Sequence, residues 1–364
     1  MVLLILSAVA IGLSVGDNGI ITSARNATDQ WEQGAANEQE ELKEIGDFIN
    51  ENRPKTISTI KGGEKLDKTE TIKDDNGKEV TIPKGFGVAE DSNTVVDDGI
   101  VITDGTNEFV WVPVDDPSTM FVEETVKLNG VETTTTIYSK LRIRDGDSYT
   151  AGKPGNTSAV REPDVLSSYD TSSSYYQTIL GFGSTKEMAD SMVAEYKAMS
   201  DSVKKYHGFY IGRYELTGTV DKPTEKAGTV LTGQNWYNLY KACQNVIQNN
   251  SDVKSTMIYG CQWDETCSWL EKNGYDINDS SEWGNYTGGK KETGSDPTYK
   301  ANEIYDMAGN CSDWTQEAYS SGNRILRGGN YRSSGSSYPA SDRGYNNTSD
   351  SSSYNTSRAT LYIS

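Results

Sequence analysis

Residues Arg327–Ile363 read RGGNYRSSGSSYPASDRGYNNTSDSSSYNTSRATLYI, and the rest of the chain is organised around this stretch. Between Gly328 and Ser357 it contains no Leu, Ile, Val, Phe or Met. A polar tract of this kind is typical of a disordered tail, which cannot bury enough apolar surface to offset its ordering entropy. It is equally typical of a binding surface, because Tyr, Ser, Gly and Asn supply rigid contact area and adaptable hydrogen bonds. The stretch ends in the strand-like TLYI, which a tail does not need, so the pattern favours a binding surface.

The composition excludes several classes of function. The 364 residues include 53 acidic and 34 basic side chains, a net charge of -19, so the clustered Lys and Arg that nucleic-acid binding needs are not expected. The single histidine, His207, argues against histidine-ligated metals and against Ser-His or Cys-His nucleophiles. No metal and no cofactor is predicted. The hydrophobic content of 34% is low, but 22 Tyr and 7 Trp can supply a core.

The four cysteines form no CxxC pair, which rules out a zinc ribbon or a thioredoxin motif. An even number in an exported chain indicates two disulfides, for which three pairings exist, and buried free thiols are the alternative. We expect the pairs Cys243–Cys261 and Cys267–Cys311.

The first 52 residues are predicted to be mainly helical. The apolar run from Val2 to Val15 is shorter than the about 20 residues of a membrane-spanning helix. No basic residue precedes this run, although a secretory signal requires one. The following segment is loosely amphipathic. Its apolar face consists of Ala24, Ala27, Trp31, Ala35, Leu42, Ile45 and Ile49.

The remaining chain mixes strand and helix signals. Residues 53–67 are rich in Pro, Gly and Lys and read as a linker. Asn76-Gly77 lies between alternating runs, which predicts a β-hairpin. Ser184 begins a capping box, and the pattern predicts a helix from there to about Tyr206 with a methionine-lined core face.

Five motifs occur in order along this region: EFVWVPV, GFYIGRYE, NWYNLYKAC, DMAGNCSDWT and RILRGGNY. Together they resemble the formylglycine-generating enzyme, or sulfatase-modifying factor, domain, over roughly Ile82 to Ile363. The resemblance implies an α+β, C-type-lectin-like fold. In such a fold the terminal strand pairs centrally, which would pin Leu361 and Ile363 in the core.

The activity of that enzyme is not expected to carry over. In the family, two cysteines shortly after the RGG motif bind copper and activate oxygen. Those positions fall here at Ser333 and Tyr338, and a hydroxyl cannot replace a thiolate in this chemistry. The chain is therefore predicted not to be an enzyme. Asn310 resembles a calcium-site residue of some relatives, but we favour a turn residue that binds its own backbone.

Another branch of the same fold fits the terminal stretch better. VLLILSAVAIGLSVGDNGIITSA resembles the stalk helix of pilin-like proteins, although the upstream half of the apolar helix and the processing site are missing. Segment 328–357 resembles the variable proteins of diversity-generating retroelements. Their adenine-directed mutagenesis turns an AAC codon into Ser, Tyr, Asp, Gly, Thr or Arg, but never into Lys, Glu, Gln, Met or Trp. Residues Tyr331 to Asn355 contain none of those five types.

The sequence therefore predicts a pilin-like helix (1–52), a linker (53–67) and a C-type-lectin-like domain (68–364). The predicted function is adhesin- or receptor-like binding of an unknown protein or glycan, with no nucleic acid, at a bacterial cell surface. The helix would anchor the chain in a membrane or a pilus-like assembly. The alternatives are a formylglycine-generating oxidase and a structural minor pilin without diversification.

Within the variable-looking segment, Arg343 and Arg358 are expected to be structural, paired with buried carbonyls or carboxylates. The other polar and aromatic positions are candidates for the ligand-binding face. They are Tyr331, Arg332, Ser333, Ser337, Tyr338, Asp342, Gly344, Tyr345, Asn346, Asn347, Ser349, Ser353, Tyr354 and Asn355.

Overall fold

The structure is a computed structural model, which describes residues 19–52, 55–128, 131–138, 174–320 and 322–364. The chain divides into two compact units, Met1–Lys55 and Thr56–Ser364. The apolar run from Val2 to Val15 lies outside the described residues.

The first unit contains one long helix, α1 (Ile20–Asn52). Its apolar positions Trp31, Leu42 and Ile45 are exposed. Among the helices in the described ranges, none is long and apolar enough to cross a membrane.

The second unit combines helices and short strands. The described helices are α2 (Ile57–Ile60), α3 (Pro117–Met120), α4 (Tyr175–Thr178), α5 (Thr185–Tyr206), α6 (Trp236–Gln244) and α7 (Gly260–Lys272). The described strands are β1 (Glu70–Lys73), β2 (Glu79–Ile82), β3 (Gly87–Val88), β4 (Val101–Thr103), β5 (Glu108–Pro113), β6 (Phe121–Leu128), β7 (Val131–Tyr138), β8 (Gly208–Gly212), β9 (Thr217–Thr219), β10 (Lys222–Thr224), β11 (Val253–Met257), β12 (Lys300–Ala301), β13 (Ile304–Tyr305), β14 (Ser312–Ser320), β15 (Asn323–Arg327), β16 (Gly344–Asn347), β17 (Asn355–Ser357) and β18 (Ala359–Ile363).

Helix α5 shows how local sequence fixes an element. The Ser184 side chain caps it by accepting a hydrogen bond from the Glu187 backbone N–H at 3.1 Å. The helix ends where His207 adopts a left-handed conformation, with φ of 56°. Met192 and Met199 are buried on its core face. The predicted helix, its cap and its methionine-lined face are confirmed.

A six-stranded antiparallel sheet, in the order β11-β18-β8-β5-β4-β3, forms the centre of the domain. The terminal strand β18 lies between β11 and β8, and Leu361 pairs with Ser255 on one side and Tyr210 on the other. Leu361 and Ile363 are 1% and 6% exposed. The predicted α+β class and the central position of the terminal strand are confirmed, and a long helix precedes the domain in the chain.

Each face of this sheet carries its own hydrophobic core, because successive side chains of a strand point to opposite faces. Phe109 and Trp111 of β5 join the core that contains α6, whereas Val110 and Val112 join the core that contains α7. Next to this sheet is a four-stranded one, in the order β16-β15-β14-β17, in which β17 runs parallel to β14.

The predicted disulfides Cys243–Cys261 and Cys267–Cys311 are wrong, because all four cysteines are buried free thiols. Cys243 belongs to the α6 core and Cys261 to the α7 core, so the central sheet separates them. Cys267 lies on α7 with its Sγ 3.8 Å from the Ala340 carbonyl oxygen. The cysteines therefore pack as small apolar side chains, and burial raises the pKa of the Cys243 and Cys311 thiols.

Candidate ligand-binding site

Two glycines turn the chain out of β15 and into the predicted binding segment. Gly328 and Gly329 have φ angles of 81° and 67°, in the left-handed region that favours glycine. A Cβ on Gly329 would collide with the Tyr338 carbonyl oxygen, and one on Gly328 would lie 2.7 Å from the Met307 carbonyl oxygen. Backbone geometry at this turn thus requires the two glycines of the RGG motif.

Side chains from other elements hold the backbone of the following loop. Trp263 of α7 donates from Nε1 to the Ala340 carbonyl oxygen at 2.8 Å. The Ala340 N–H donates to Ser280 Oγ at 3.0 Å. The Tyr286 hydroxyl donates to the Tyr338 carbonyl oxygen at 2.8 Å, and burial raises its pKa. Groups from other elements therefore fix the backbone of this loop.

Buried ion pairs fix both ends of the loop. Arg327 Nη2 donates to Asp264 Oδ1 at 2.7 Å, and Arg327 Nη1 donates to the Asp342 carbonyl oxygen at 2.9 Å. Arg343 Nε pairs with Glu317 Oε1 at 3.0 Å, and its Nη2 also contacts Asp264. The Arg343 side chain is only 6% exposed, so its predicted structural role is confirmed.

Arg358 is also structural, as predicted. Its Nε donates to Asp313 Oδ2 at 3.0 Å, and its Nη2 donates to the carbonyl oxygens of Tyr305 and Asp306 at 3.1 Å. The residue is fully buried. It joins the segment between β17 and β18 to the start of the DMAGN turn.

Asn310 behaves differently from the prediction of a turn residue that binds its own backbone. It is a buried turn residue with φ of 49°, but its side chain holds a neighbouring loop. Its Oδ1 accepts hydrogen bonds from the Lys291 N–H at 2.9 Å and from Asn285 Nδ2 at 3.0 Å, while its Nδ2 donates to the buried Glu215 carboxyl. Both hydrogen bonds that its Oδ1 accepts come from loop 285–291. The local sequence does not reveal this long-range contact.

A cavity of about 420 Å³ opens on the smaller sheet. Each of the four strands contributes to its lining, which the loop after β15 completes. Seven of the fourteen predicted residues line it: Arg332, Ser333, Tyr338, Asp342, Gly344, Tyr345 and Asn355. The structure adds four residues that the prediction missed: Ser312, Leu326, Gly329 and Asn330.

Ser312 shows why the sequence did not reveal part of the cavity lining. It lies in the CSDW part of an upstream motif, and it reaches the cavity because β14 pairs in parallel with β17, with Ser312 opposite Asn355. Parallel pairing leaves no local signal in the sequence. Asn330, by contrast, lies within the polar segment itself and could have been included from its residue type.

The other seven predicted residues do not line the cavity. They are Tyr331, Ser337, Asn346, Asn347, Ser349, Ser353 and Tyr354. Asn347 Oδ1 accepts hydrogen bonds from both the N–H (2.9 Å) and the hydroxyl (2.6 Å) of Ser349. This pair stabilises the turn after β16, so its side chains are occupied by the fold.

Two exposed tyrosines mark the mouth of the cavity. Tyr338 and Tyr345 are 50% and 54% exposed. In the described part of Thr56–Ser364, they are the large hydrophobic side chains that remain exposed. Both line the cavity, and both were predicted as candidate aromatic anchors.

The lining of the cavity consists of hydroxyl, amide, carboxyl, guanidinium and aromatic groups. Ser333 and Tyr338 both belong to this lining. Among the described residues, no group of three or more His, Cys, Asp or Glu side chains could hold a metal ion. This chemistry suits hydrogen bonding and aromatic contact with a ligand.

Comparison with known proteins gives structural neighbours at low similarity. No protein-family model and no curated protein matches the chain. Two of the neighbours each cover 43% of the chain with a TM-score of 0.32: the crystal structure of CarF (12% identity, 87% of its length) and PvdO from Pseudomonas aeruginosa (13%, 81%). Treponema denticola variable protein 1 covers 72% of the chain and 98% of its own length, at 14% identity and a TM-score of 0.28. At these values, the matches say nothing about what this chain binds.

Proposed function

We propose that the face formed by the cavity and its two tyrosines binds a ligand, and that the chain is an adhesin- or receptor-like binding protein of a bacterial surface. One observation carries the binding proposal. Tyr338 and Tyr345 remain about half exposed beside a cavity of about 420 Å³, whereas aromatic side chains such as Trp111, Trp236 and Trp263 are fully buried.

The size and chemistry of the face suit recognition. Ligand cavities commonly measure about 300–1,000 Å³ and combine aromatic walls with a few placed polar groups. Tyrosine and arginine are enriched among the residues that dominate binding energy, and here Tyr338, Tyr345 and Arg332 lie together. An exposed aromatic side chain that a ligand covers is also removed from water, which adds hydrophobic stabilisation to the complex.

The same construction supports the proposal that the face is diversified by a retroelement. Trp263, Ser280 and Tyr286 hold the loop backbone from outside, so the exchange of an outward side chain leaves these bonds intact. Exposed substitutions of this kind usually change stability by less than about 0.5 kcal/mol. The DNA tests this proposal: a template repeat with adenines at codons 331–355 beside a reverse transcriptase gene supports it, and the absence of both contradicts it.

The binding proposal predicts that Tyr338→Ala and Tyr345→Ala each weaken binding by about tenfold or more, as expected for aromatic anchors. Protein and glycan arrays probed with the full-length protein would identify a ligand, and titration calorimetry would compare the variants. Asp350→Ala is the matched control, because Asp350 is exposed in the same segment but does not line the cavity.

The result also separates binding from a purely structural pilin. If the arrays give no ligand, or if both tyrosine variants bind as the wild type does while remaining folded, the binding proposal is wrong. We further propose that the site is not catalytic, because Ser333 and Tyr338 replace the two thiols of the related enzyme. Aldehyde formation on a CxPxR peptide in the presence of copper would overturn this second proposal.

A further inference from the structure

Arg332 differs from the other arginines in the described part of the domain. Arg213, Arg327, Arg343 and Arg358 have side chains no more than 6% exposed, and each pairs with a buried or half-buried carboxylate. Arg324 is buried as well, and its guanidinium lies 4.8 Å from the ring centroid of Trp236.

Arg332 itself is exposed, and it has no carboxylate partner among the described residues. Its backbone N–H donates to Asn330 Oδ1 at 3.1 Å, which fixes the start of its side chain. A guanidinium without a carboxylate keeps its N–H donors available to a partner from outside the chain.

Two tyrosines hold this guanidinium in place. Its carbon lies 4.9 Å from the ring centroid of Tyr354 and 5.8 Å from that of Tyr331. The two rings lie 5.6 Å apart at 49° and form one platform. Contact with an aromatic face attracts the cation but uses none of its N–H groups, which radiate in the guanidinium plane. The two rings therefore contact the guanidinium while its N–H groups stay able to donate.

Arg332 also lines the cavity, beside Ser333, Asn330 and Tyr345. The planar fork of a guanidinium matches the two oxygens of a carboxylate, and such charge-assisted pairs are stronger than neutral hydrogen bonds. On a chain with a net charge of -19, a cation left without a carboxylate is a specific local feature.

We propose that Arg332 is the recognition point for a carboxylate on the ligand, with Tyr331 and Tyr354 as its positioning residues. This inference rests on the proposed binding function and adds the chemical class of the group that the face recognises. The carboxylate accepts two hydrogen bonds from the guanidinium while the apolar part of the ligand contacts Tyr345.

The test uses the full-length protein and benzoate as the probe, with the neutral and nearly isosteric benzamide as its control. NMR would follow the Arg332 side-chain Nε–H signal, assigned through the Arg332→Gln variant. We expect benzoate to shift this signal in a saturable manner and benzamide to leave it unchanged. Equal shifts with both probes, or no shift with benzoate, would overturn the proposal.

Two further variants test the platform. Tyr354→Phe retains the aromatic face and should give the wild-type benzoate titration, whereas Tyr354→Ala should weaken it several-fold because the guanidinium loses its support. If Tyr354→Ala titrates as Tyr354→Phe does, Tyr354 is not a positioning residue.

Variants tested with the ligand found on the arrays distinguish the carboxylate proposal from the binding function itself. We expect Arg332→Gln to weaken its binding about tenfold or more, and Arg332→Lys, which keeps the charge but loses the fork, to lie between. If Tyr345→Ala abolishes binding while Arg332→Gln does not change it, the binding function stands and the carboxylate proposal fails. If no ligand binds at all, the proposed binding function is itself wrong.

Discussion

Four buried carboxyl groups surround one guanidinium in the interior of the domain. Glu215, Glu225, Asp306 and Asp313 are at most 4% exposed, and the cation at their centre is Arg358. Burial raises the pKa of all four carboxyls, and it raises those of Asp306 and Asp313 to about 6. Only one guanidinium faces these four buried carboxyls, so folding favours their protonated forms relative to the unfolded chain.

Because of this cluster, the free energy of unfolding depends on pH, and the pKa shifts give the direction of that dependence. For Asp306, the pKa rises from an ordinary 3.8 to about 6 on folding, so the folded state binds its proton more tightly than the unfolded state does. The corresponding stability is fully present below about pH 4, and it is lost as pH rises through about 6.

We therefore expect Asp306→Asn to reduce the fall in unfolding free energy between about pH 4 and pH 7. Asparagine tolerates the left-handed φ of 53° at this position, so the variant should fold. Urea unfolding at several pH values would measure the change, with the exposed Asp350→Asn as the matched control. If the free energy of unfolding of the variant changed with pH as that of the wild type does, Asp306 would not contribute to the pH dependence.

At the scale of elements, local signals predicted what depends on neighbouring residues. The capping box of Ser184 located the start of α5, and the strand-like TLYI located β18. The partners of Cys243 and Asn310 could not be predicted in this way. They depend on which face of the central sheet a side chain occupies and on which loop packs beside a turn, and both are set by contacts far along the chain.

Local sequence signals were limited in the same way at the candidate site. Residue types in the polar segment indicated Arg332, Tyr338 and Tyr345, which line the cavity. They did not separate these residues from Asn347 and Ser349, which have the same polar character but stabilise a turn. Only the fold distinguishes a side chain that faces a cavity from one that completes a turn.

The turn after β15 provides a prediction at this scale. Gly329→Ala should lower the free energy of unfolding by about 2 kcal/mol or more, because the left-handed backbone disfavours a Cβ and the Tyr338 carbonyl oxygen occupies its place. Gly289→Ala is the matched control, since no atom lies within 4 Å of the added Cβ. Denaturant unfolding would compare the two, and equal stabilities would contradict the steric account.

For the whole molecule, the free thiols give a direct test of how the domain is held together. Without disulfides, its stability comes from the two cores and from the buried ion pairs of Asp264 and Asp313. The proposed surface location therefore no longer draws support from predicted disulfides.

We expect no cysteine of the native protein to react with a thiol reagent on the timescale at which a model thiol reacts, because all four are buried. In denaturant without reductant, all four should react. Two or fewer reactive thiols under those conditions would restore the disulfide hypothesis. Peptide mapping without reduction would then identify the pairs.

The strand order of the central sheet also has a consequence for folding kinetics. The Thr360 hydroxyl donates to the Tyr210 carbonyl oxygen across 150 residues of chain, and closing such a distance costs entropy before its contacts are gained. The rate-limiting step should therefore join β5, β8 and β18, while edge strand β16 forms afterwards. Equal refolding rates of the wild type and Tyr345→Ala in stopped-flow experiments would bear this out. A face that orders after the barrier can change its residues without slowing the assembly of the domain that carries it.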